Sequence, residues 1–249
     1  MGERQETVQA AGAAAQRGLV THAVLVGLTP LIPVPVLDDV VKGYFRRRLV
    51  RALAASAGRA LSDEDVSALA AEGGGGCLRG CVVQAVVYPL KKIFRKVFFF
   101  LEWKRAVDLT SQTYHFGYLT AYAMTGAGEG RPAPLDVRRA GDVAAAIEAV
   151  CREAPVKPVE TAVGATFRQS RRVLSGAAGL LGQSLRRLAG RADPSRVAEA
   201  IEEVEPQEER EIEPVVARLQ RSLAAVPDEH FRRLRQQLDA RLGVQEESR

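Results

Sequence analysis

Residues 19–41 read LVTHAVLVGLTPLIPVPVLDDVV, an apolar run that contains three prolines and closes on two aspartates and two valines. Its length is close to the roughly 20 apolar residues that a helix needs to cross a bilayer. The prolines argue against a straight crossing, because each removes a backbone donor and disfavours helix in the residue before it. The pattern predicts a helix to about Leu28 followed by a buried turn, or a shallow re-entrant hairpin. A core helix with a proline exit is the rival interpretation.

The prolines and the aspartates together predict a structural turn. Asp38 and Asp39 stand where the first turn of the next helix favours negative charge. Adjacent side chains on a helix point about 100° apart, so two neighbouring carboxylates do not converge on one ion without a special turn. We therefore interpret the turn as structural, and its residues are Pro30, Pro33, Pro35, Asp38 and Asp39.

An amphipathic, arginine-rich helix is expected after this turn. Apolar residues recur there at the three- and four-residue spacing of one buried helical face. They are Val40, Val41, Tyr44, Phe45, Leu49 and Leu53, and most other positions hold Arg46, Arg47, Arg48 and Arg51. Arginine clusters beside an apolar segment are attracted to anionic headgroups and tend to lie on the cytoplasmic side of a membrane. The four arginines are therefore candidate membrane or anion contacts.

A second apolar and basic region covers residues 81–103, CVVQAVVYPLKKIFRKVFFFLEW. Beyond Pro89 the apolar residues share one helical face, with basic residues opposite and a tryptophan at the end, which is typical of a helix that lies in a membrane interface. The candidate contacts here are Lys91, Lys92, Arg95, Lys96 and Trp103. The alternative is a helix that packs its apolar face on the protein's own core.

The charge distribution points to an anionic partner. Residues 40–107 hold 13 basic and 5 acidic residues, residues 162–192 hold 6 and none, and residues 193–249 hold 9 and 14. Such a layout suits a protein whose middle faces an anionic surface while its tail stays in water. No helix-turn-helix or zinc-finger pattern surrounds the arginines, so the apolar neighbours favour lipid over nucleic acid. Solvated helix faces are the simpler alternative.

No motif predicts catalysis, a cofactor or a metal. The glycine run lacks the lysine and hydroxyl of a P-loop, and no G-x-S-x-G elbow is present. His22, His115 and His230 fall on three different predicted helices without ligands at metal-binding spacing. Three cysteines, Cys77, Cys81 and Cys151, are too few for a disulfide framework and are interpreted as small buried thiols in a reducing compartment. The sequence therefore favours a non-enzymatic protein.

Changes in composition and the Gly- and Pro-rich breaks along the chain predict three regions. They are a polar segment at 1–18, an apolar and basic helical region at 19–126, and a helical region with an acidic tail at 135–249. The Gly- and Pro-rich loop 125–134 is the expected main boundary. Ser62 and Asp65 predict a capping box for a short helix. In the second half, helices are expected over 142–154, 159–191 and 228–242, with an acidic connector bounded by Pro206 and Pro214.

The turn G-x-T-P-x-x-P-x-P-x-x-D at 27–38, between an apolar helix and an arginine-rich helix with a tyrosine, resembles the EcsC-type bacterial proteins of unknown function. The resemblance covers residues 20–125. It implies a helical, membrane-associated bacterial protein with no established catalytic residues.

These patterns predict an all-α protein, a multi-helix bundle with a proline-broken apolar helix or hairpin near its N-terminus. The leading hypothesis is a non-enzymatic, peripheral or re-entrant protein at the cytoplasmic side of the inner membrane, with an anionic membrane surface as its partner. One alternative is a soluble cytoplasmic adaptor that binds an acidic protein partner. The other is a lipid-handling protein or enzyme with a cleft near Asp38 and Tyr44.

Overall fold

A computed structural model describes residues 2–32, 38–71, 95–125, 140–186 and 194–243. Every regular element within these ranges is helical, which confirms the all-α prediction. The helices are α1 (Gly2–Leu28), α2 (Asp38–Ser56), α3 (Asp63–Ala70), α4 (Arg95–Thr125), α5 (Ala140–Glu153), α6 (Lys157–Gln169), α7 (Arg171–Arg186), α8 (Pro194–Leu223) and α9 (Asp228–Leu242), with a 3-10 turn at Thr29–Leu31.

The C-terminal half of α1 is the central helix of the bundle. It packs against α2, α4 and α8, and six of its apolar side chains are fully buried: Val20, Ala23, Val24, Leu25, Val26 and Leu28. A helix that is apolar on all sides must be covered on all sides. Here the cover comes from other helices of the same chain. No helix within the described ranges has the combination of length and apolarity that a membrane crossing needs.

The exit from α1 agrees with the rival interpretation of a core helix with a proline exit, and the helix ends at Leu28 as expected. Thr29 and Pro30 are buried in the 3-10 turn, and the Thr29 hydroxyl donates to the Val26 carbonyl at 2.9 Å. A proline suits the first residues of such a turn, because the N–H that it lacks has no helical partner there. Pro33 and Pro35 lie outside the described residues, and Asp38 and Asp39 form the backbone start of α2, with side chains that are not described.

Two glycines set the close approach of α1 and α4. A Cβ built on Gly27 would overlap Thr110 Oγ1 and lie 3.0 Å from the Ala106 carbonyl oxygen. A Cβ built on Gly117 would collide with the Leu19 side chain in the same way. Glycine at these positions lets α1 and α4 pack closely, and the 3-10 turn also packs against α4.

The structure confirms several predictions made from local sequence patterns. Ser62 and Asp65 form the expected reciprocal capping box of α3, with the Asp65 N–H donating to Ser62 Oγ at 3.1 Å. The predicted apolar face of α2 is buried through Val41, Phe45, Leu49 and Leu53. Similarly, α9 ends at Leu242, followed by Gly243 in the left-handed conformation that favours glycine.

The predicted helix over 159–191 is wrong, because two helices occupy this range. Ser170 leaves the helical conformation, with φ −108° and ψ 15°, and separates α6 from α7. The break lets α6 pack on α4 and α8 while α7 turns along α8. Its hydrogen-bonding cost is small, because the Ser170 N–H still donates to the Thr166 carbonyl and its hydroxyl accepts from Arg218 at 3.1 Å.

The predicted acidic connector is also wrong, because α8 runs without interruption through Pro206 and Pro214. Each interior proline costs a helix about 3 kcal/mol. Burying an aliphatic side chain returns about 1.5–3 kcal/mol, and seven buried side chains of α8 outweigh the two prolines. They are Val197, Ile201, Ile212, Val215, Val216, Leu219 and Leu223.

Buried residues from α1 to α9 form one hydrophobic cluster. Residues 2–18, expected as a separate polar segment, form the first part of α1. The expected boundary loop falls largely on residues 126–139, which lie outside the described residues, as do Cys77 and Cys81.

Candidate functional site

Three of the four predicted arginine contacts on α2 meet other residues of the chain. The Arg46 guanidinium lies 4.1 Å from the centre of the Phe116 ring. Arg48 donates to the Tyr44 hydroxyl at 3.0 Å, and Arg51 pairs with Asp63 at 2.8 Å. Arg47 is half-buried. The structure therefore spreads these arginines around α2 instead of gathering them in one patch.

The predicted contacts of the second basic region are placed only in part. Lys91 and Lys92 lie outside the described residues, and Arg95 and Lys96 are described only as backbone in the first turn of α4. Trp103 is 7% exposed and meets Phe167 edge-on, with the ring centres 6.0 Å apart. Its indole therefore belongs to the core.

An apolar pair lies exposed one turn before Trp103. Phe100 is 67% exposed and Leu101 is 52% exposed, and they are the exposed large hydrophobic residues among those described. Lys104 and Arg105, both exposed, follow them on the outer side of α4. These four residues are called the apolar-basic patch below.

Further arginines lie at the junction of α6 and α7, and one of them contacts Trp103 of α4. The Arg171 guanidinium lies 5.2 Å from the centre of the Trp103 ring, which places the start of α7 beside the first turns of α4. Arg168 and Arg172, near Arg171 in the chain, are also exposed. Glu102 lies between Leu101 and Lys104 in the chain, so residues 100–105 hold two cations and one carboxylate.

A buried histidine pair joins α4 to α9. His115 Nε2 lies 2.9 Å from His230 Nε2, and His115 Nδ1 lies 2.7 Å from the Ser111 carbonyl oxygen. A carbonyl only accepts, so Nδ1 of His115 carries the proton and its Nε2 accepts from His230. Tyr118 and Phe231 pack beside the pair, with ring centres 4.9 Å apart.

Burial keeps the histidine pair neutral. Desolvation lowers the pKa of His115 to about 4, and the nearby His230 adds to this effect. The pKa of His230 is also lowered, first by desolvation and then by the charge of Arg233. Tyr114, in edge contact with His115, has its pKa raised to about 12 by burial. The neutral, hydrogen-bonded pair of His115 and His230 thus links α9 to α4.

A groove of about 660 Å³ lies between α1 and α8 and is called the α1–α8 groove. Its α1 wall is a stripe at helical spacing made of Ala14, Arg17, Gly18, Thr21 and His22. Its α8 wall consists of Glu209, Arg210 and Glu213, and Arg17 forms an ion pair with Glu213 across the groove. The two walls of the groove together therefore carry two arginines and two carboxylates.

His22 closes this groove with a buried imidazole that is 7% exposed. Its Nδ1 donates to the Gly18 carbonyl at 2.8 Å, whereas its Nε2 has no hydrogen-bond partner among the described residues. Desolvation lowers the pKa of His22, and the charge of Arg48 adds to this effect. Hydrogen bonding to Gly18 and the charge of Glu209 oppose it.

Tyr44 links the arginine helix to the same region. Its hydroxyl accepts from Arg48 at 3.0 Å and donates to Glu202 on α8 at 3.2 Å. The tyrosine that marked the predicted cleft thus connects α2 with α8. The sequence offered no signal for the groove, since its two walls lie about 190 residues apart and neither carries a recognised motif.

The sequence offered no signal for the histidine pair either, because two residues separated by 115 positions have no local signature.

Cys151 is half-buried, and burial raises the pKa of its thiol to about 12, which removes it as a nucleophile near neutral pH. No three His, Cys, Asp or Glu side chains within the described ranges are placed to hold a metal ion.

Comparisons with family models, with curated proteins and with solved structures found no match to this chain. The resemblance to the EcsC-type proteins therefore stays a prediction that rests on the turn at 27–38.

Proposed function

We propose that the protein is a non-enzymatic, peripheral membrane-associated helical protein, and that the apolar-basic patch binds an anionic membrane surface at the cytoplasmic face. The observation that carries the proposal is the exposure of Phe100 and Leu101 directly beside Lys104 and Arg105. Large exposed apolar residues rimmed by charge mark interaction surfaces, and cations select an anionic partner.

The magnitudes support reversible attachment. Burying a Phe or a Leu fully is worth about 1.5–3 kcal/mol, and the exposed part of each side chain here is one half to two thirds of that. Each cation near an anionic bilayer adds about 1 kcal/mol. The patch therefore supplies roughly 4–6 kcal/mol from these four side chains, enough for weak binding that salt can reverse.

Residues 19–28, which the sequence marked as a candidate membrane segment, are not the lipid contact in this proposal. Their apolarity is satisfied by α2, α4 and α8, so the proposal assigns lipid contact to the start of α4 instead. The predicted contacts Arg95 and Lys96 lie one to two turns before Phe100 in the same helix. They extend the basic character of this end of α4 in sequence.

Vesicle sedimentation tests the proposal with the full chain. We expect binding to vesicles of phosphatidylglycerol and phosphatidylcholine and little binding to phosphatidylcholine alone. NaCl at 0.5 M should release the protein, because the Debye length there is about four times shorter than at 0.03 M. The Phe100→Ser, Leu101→Ser double variant should lose roughly 30-fold or more in affinity, since about 2 kcal/mol or more of apolar burial disappears.

A matched control separates local from overall charge. The Lys104→Gln, Arg105→Gln variant should weaken binding, whereas Arg196→Gln, Arg221→Gln removes the same charge from exposed positions of α8 and should not. Equal binding to both vesicle types, or unchanged binding of the Phe100→Ser, Leu101→Ser variant, would contradict the proposal. Failure to bind either vesicle would leave the acidic-partner alternative as the better reading of the basic residues.

A further inference from the structure

The α1–α8 groove is lined by exposed residues at one end and by a buried histidine at the other. Ala14 and Arg17 are exposed at the outer end, and His22, two turns along α1, is buried. The two walls run antiparallel, because Arg17 pairs with Glu213 while His22 lies within the electrostatic reach of Glu209. The groove therefore has a distinct outer and inner end.

An unsatisfied acceptor lies at the inner end. His22 Nδ1 donates to the Gly18 carbonyl of its own helix, so the neutral ring presents Nε2 as a bare acceptor. Nε2 is buried and has no partner among the described residues. Buried polar atoms are nearly always hydrogen-bonded, so one left without a partner calls for a donor from elsewhere.

The charged residues on the two walls of the α1–α8 groove indicate which chemical group would donate to His22 Nε2. Glu209 lines the groove with His22 and is a carboxylate acceptor, so a group with several N–H donors satisfies both Glu209 and Nε2, while the charge of Arg48 on α2 also acts on His22. Arg17 and Arg210 stand on the two walls, and with Glu209 and Glu213 the groove has no net charge. A ligand with separated but balanced charges matches this distribution.

We propose that the α1–α8 groove binds a small zwitterion, with its ammonium group at His22 Nε2 and Glu209 and its anionic group toward Arg17 and Arg210. A free amino acid and the headgroup of an ethanolamine phospholipid share this chemistry. The cavity volume of about 660 Å³ lies in the range of small-molecule sites and accommodates either one. This inference does not rest on the proposed membrane contact of the apolar-basic patch.

Gly18 keeps the groove open. A Cβ built on Gly18 meets no heavy atom within 4 Å, although Gly18 lines the groove at the middle of α1. A larger side chain at this position would extend into the groove without a clash at its base. Gly179 on α7 is equally open and exposed, so the same substitution there is a matched control outside the groove.

The protein's three histidines make a direct measurement practical. Histidine-labelled full-length protein is titrated with glycine, with glycerophosphoethanolamine, and with glycine betaine, which keeps the charges but has no N–H donor. We expect glycine or glycerophosphoethanolamine to move the Nε2 resonance of His22 in a saturable way and to leave His115 and His230 unchanged. The tighter of the two probes distinguishes an amino acid from a lipid headgroup as the source of the zwitterion.

Variants locate the binding. Gly18→Leu should abolish the His22 shift, whereas Gly179→Leu should retain it. Glu209→Gln should raise the dissociation constant roughly 10-fold, the loss expected for one charge-assisted hydrogen bond. The proposal is overturned if neither zwitterion moves His22, if glycine betaine binds as well as glycine, or if folded Gly18→Leu protein binds like the unaltered chain. Circular dichroism of each variant shows whether it is folded.

Discussion

Gly27→Ala places one methyl group at the tightest contact between α1 and α4. The new Cβ would overlap Thr110 Oγ1 and lie 3.0 Å from both Thr110 Cβ and the Ala106 carbonyl oxygen. Rotation of Thr110 relieves only the first contact, and it breaks the 2.8 Å hydrogen bond from that hydroxyl to Ala106. The other two contacts involve backbone or a branched carbon, so the helices must separate.

The free energies of these effects add to a clear loss of stability. Overpacking costs about 1–3 kcal/mol, and a buried hydroxyl left without a partner costs about 1–3 kcal/mol. Alanine returns about 1 kcal/mol through its better helix propensity. We therefore expect Gly27→Ala to lower the free energy of unfolding by about 2–4 kcal/mol, and Tm by roughly 5–15 °C for a chain of this size.

Urea and thermal unfolding followed by circular dichroism measure this effect, with Gly179→Ala as the matched control. Gly179 is exposed and open, so alanine there should stabilise the protein by up to about 1 kcal/mol. The same substitution thus has opposite signs at the two sites. If Gly27→Ala were as stable as the unaltered protein, α1 and α4 would not pack as closely as described, and the central place of residues 19–28 would be refuted.

Three further perturbations test other parts of the structure. Because burial lowers the pKa of His115 to about 4, the unfolded chain binds more protons between pH 6.5 and 4, so the free energy of unfolding should fall as pH is lowered through this window, by up to about 3 kcal/mol. Urea titrations at several pH values measure it; His115→Gln should flatten the slope, and a slope unchanged in that variant would refute the assignment. Ser62→Ala removes one half of the capping box of α3 and should cost about 1 kcal/mol in urea midpoints, whereas no loss would mean that α3 does not need its cap. Leu25→Ala should cost about 2–5 kcal/mol by the same assay, and a loss below 1 kcal/mol would place Leu25 outside a packed core.

Local patterns in the sequence predicted the features that depend on neighbouring residues. The end of the first helix near Leu28, the capping box at Ser62, the buried face of α2 and the stop at Gly243 all follow from side chains within a few positions of each other. Such signals are reliable because backbone donors, φ preferences and helical spacing act over one or two turns.

Local sequence patterns did not predict the features that depend on tertiary packing. The prolines at 206 and 214 are local helix breakers, yet burial on both sides of them keeps α8 continuous. At Ser170 the reverse applies, because no local breaker is present and the chain bends to reach two different neighbours. The pattern of a helix gives its buried face but not the identity of the helix that covers it.

The candidate sites were predictable only where apolar and basic residues are adjacent in the chain. Of the region 81–103, which was predicted as an amphipathic interfacial helix, the structure describes Phe100 and Leu101 as exposed and Trp103 as part of the core. The α1–α8 groove and the histidine pair each combine residues from distant helices. Nothing in the spacing of His22, His115 and His230 indicates that two of them meet while the third closes a groove.

Hydrogen exchange of the full chain, with and without phosphatidylglycerol vesicles, tests the central claim most directly: residues 19–28 belong to the protein's own core, and the start of α4 meets the membrane. The account predicts that the amides of residues 19–28 are strongly protected in water and unchanged by vesicles, while protection rises over residues 95–105 when vesicles are added. Fast exchange of residues 19–28 in water, with protection only in the presence of lipid, would contradict it.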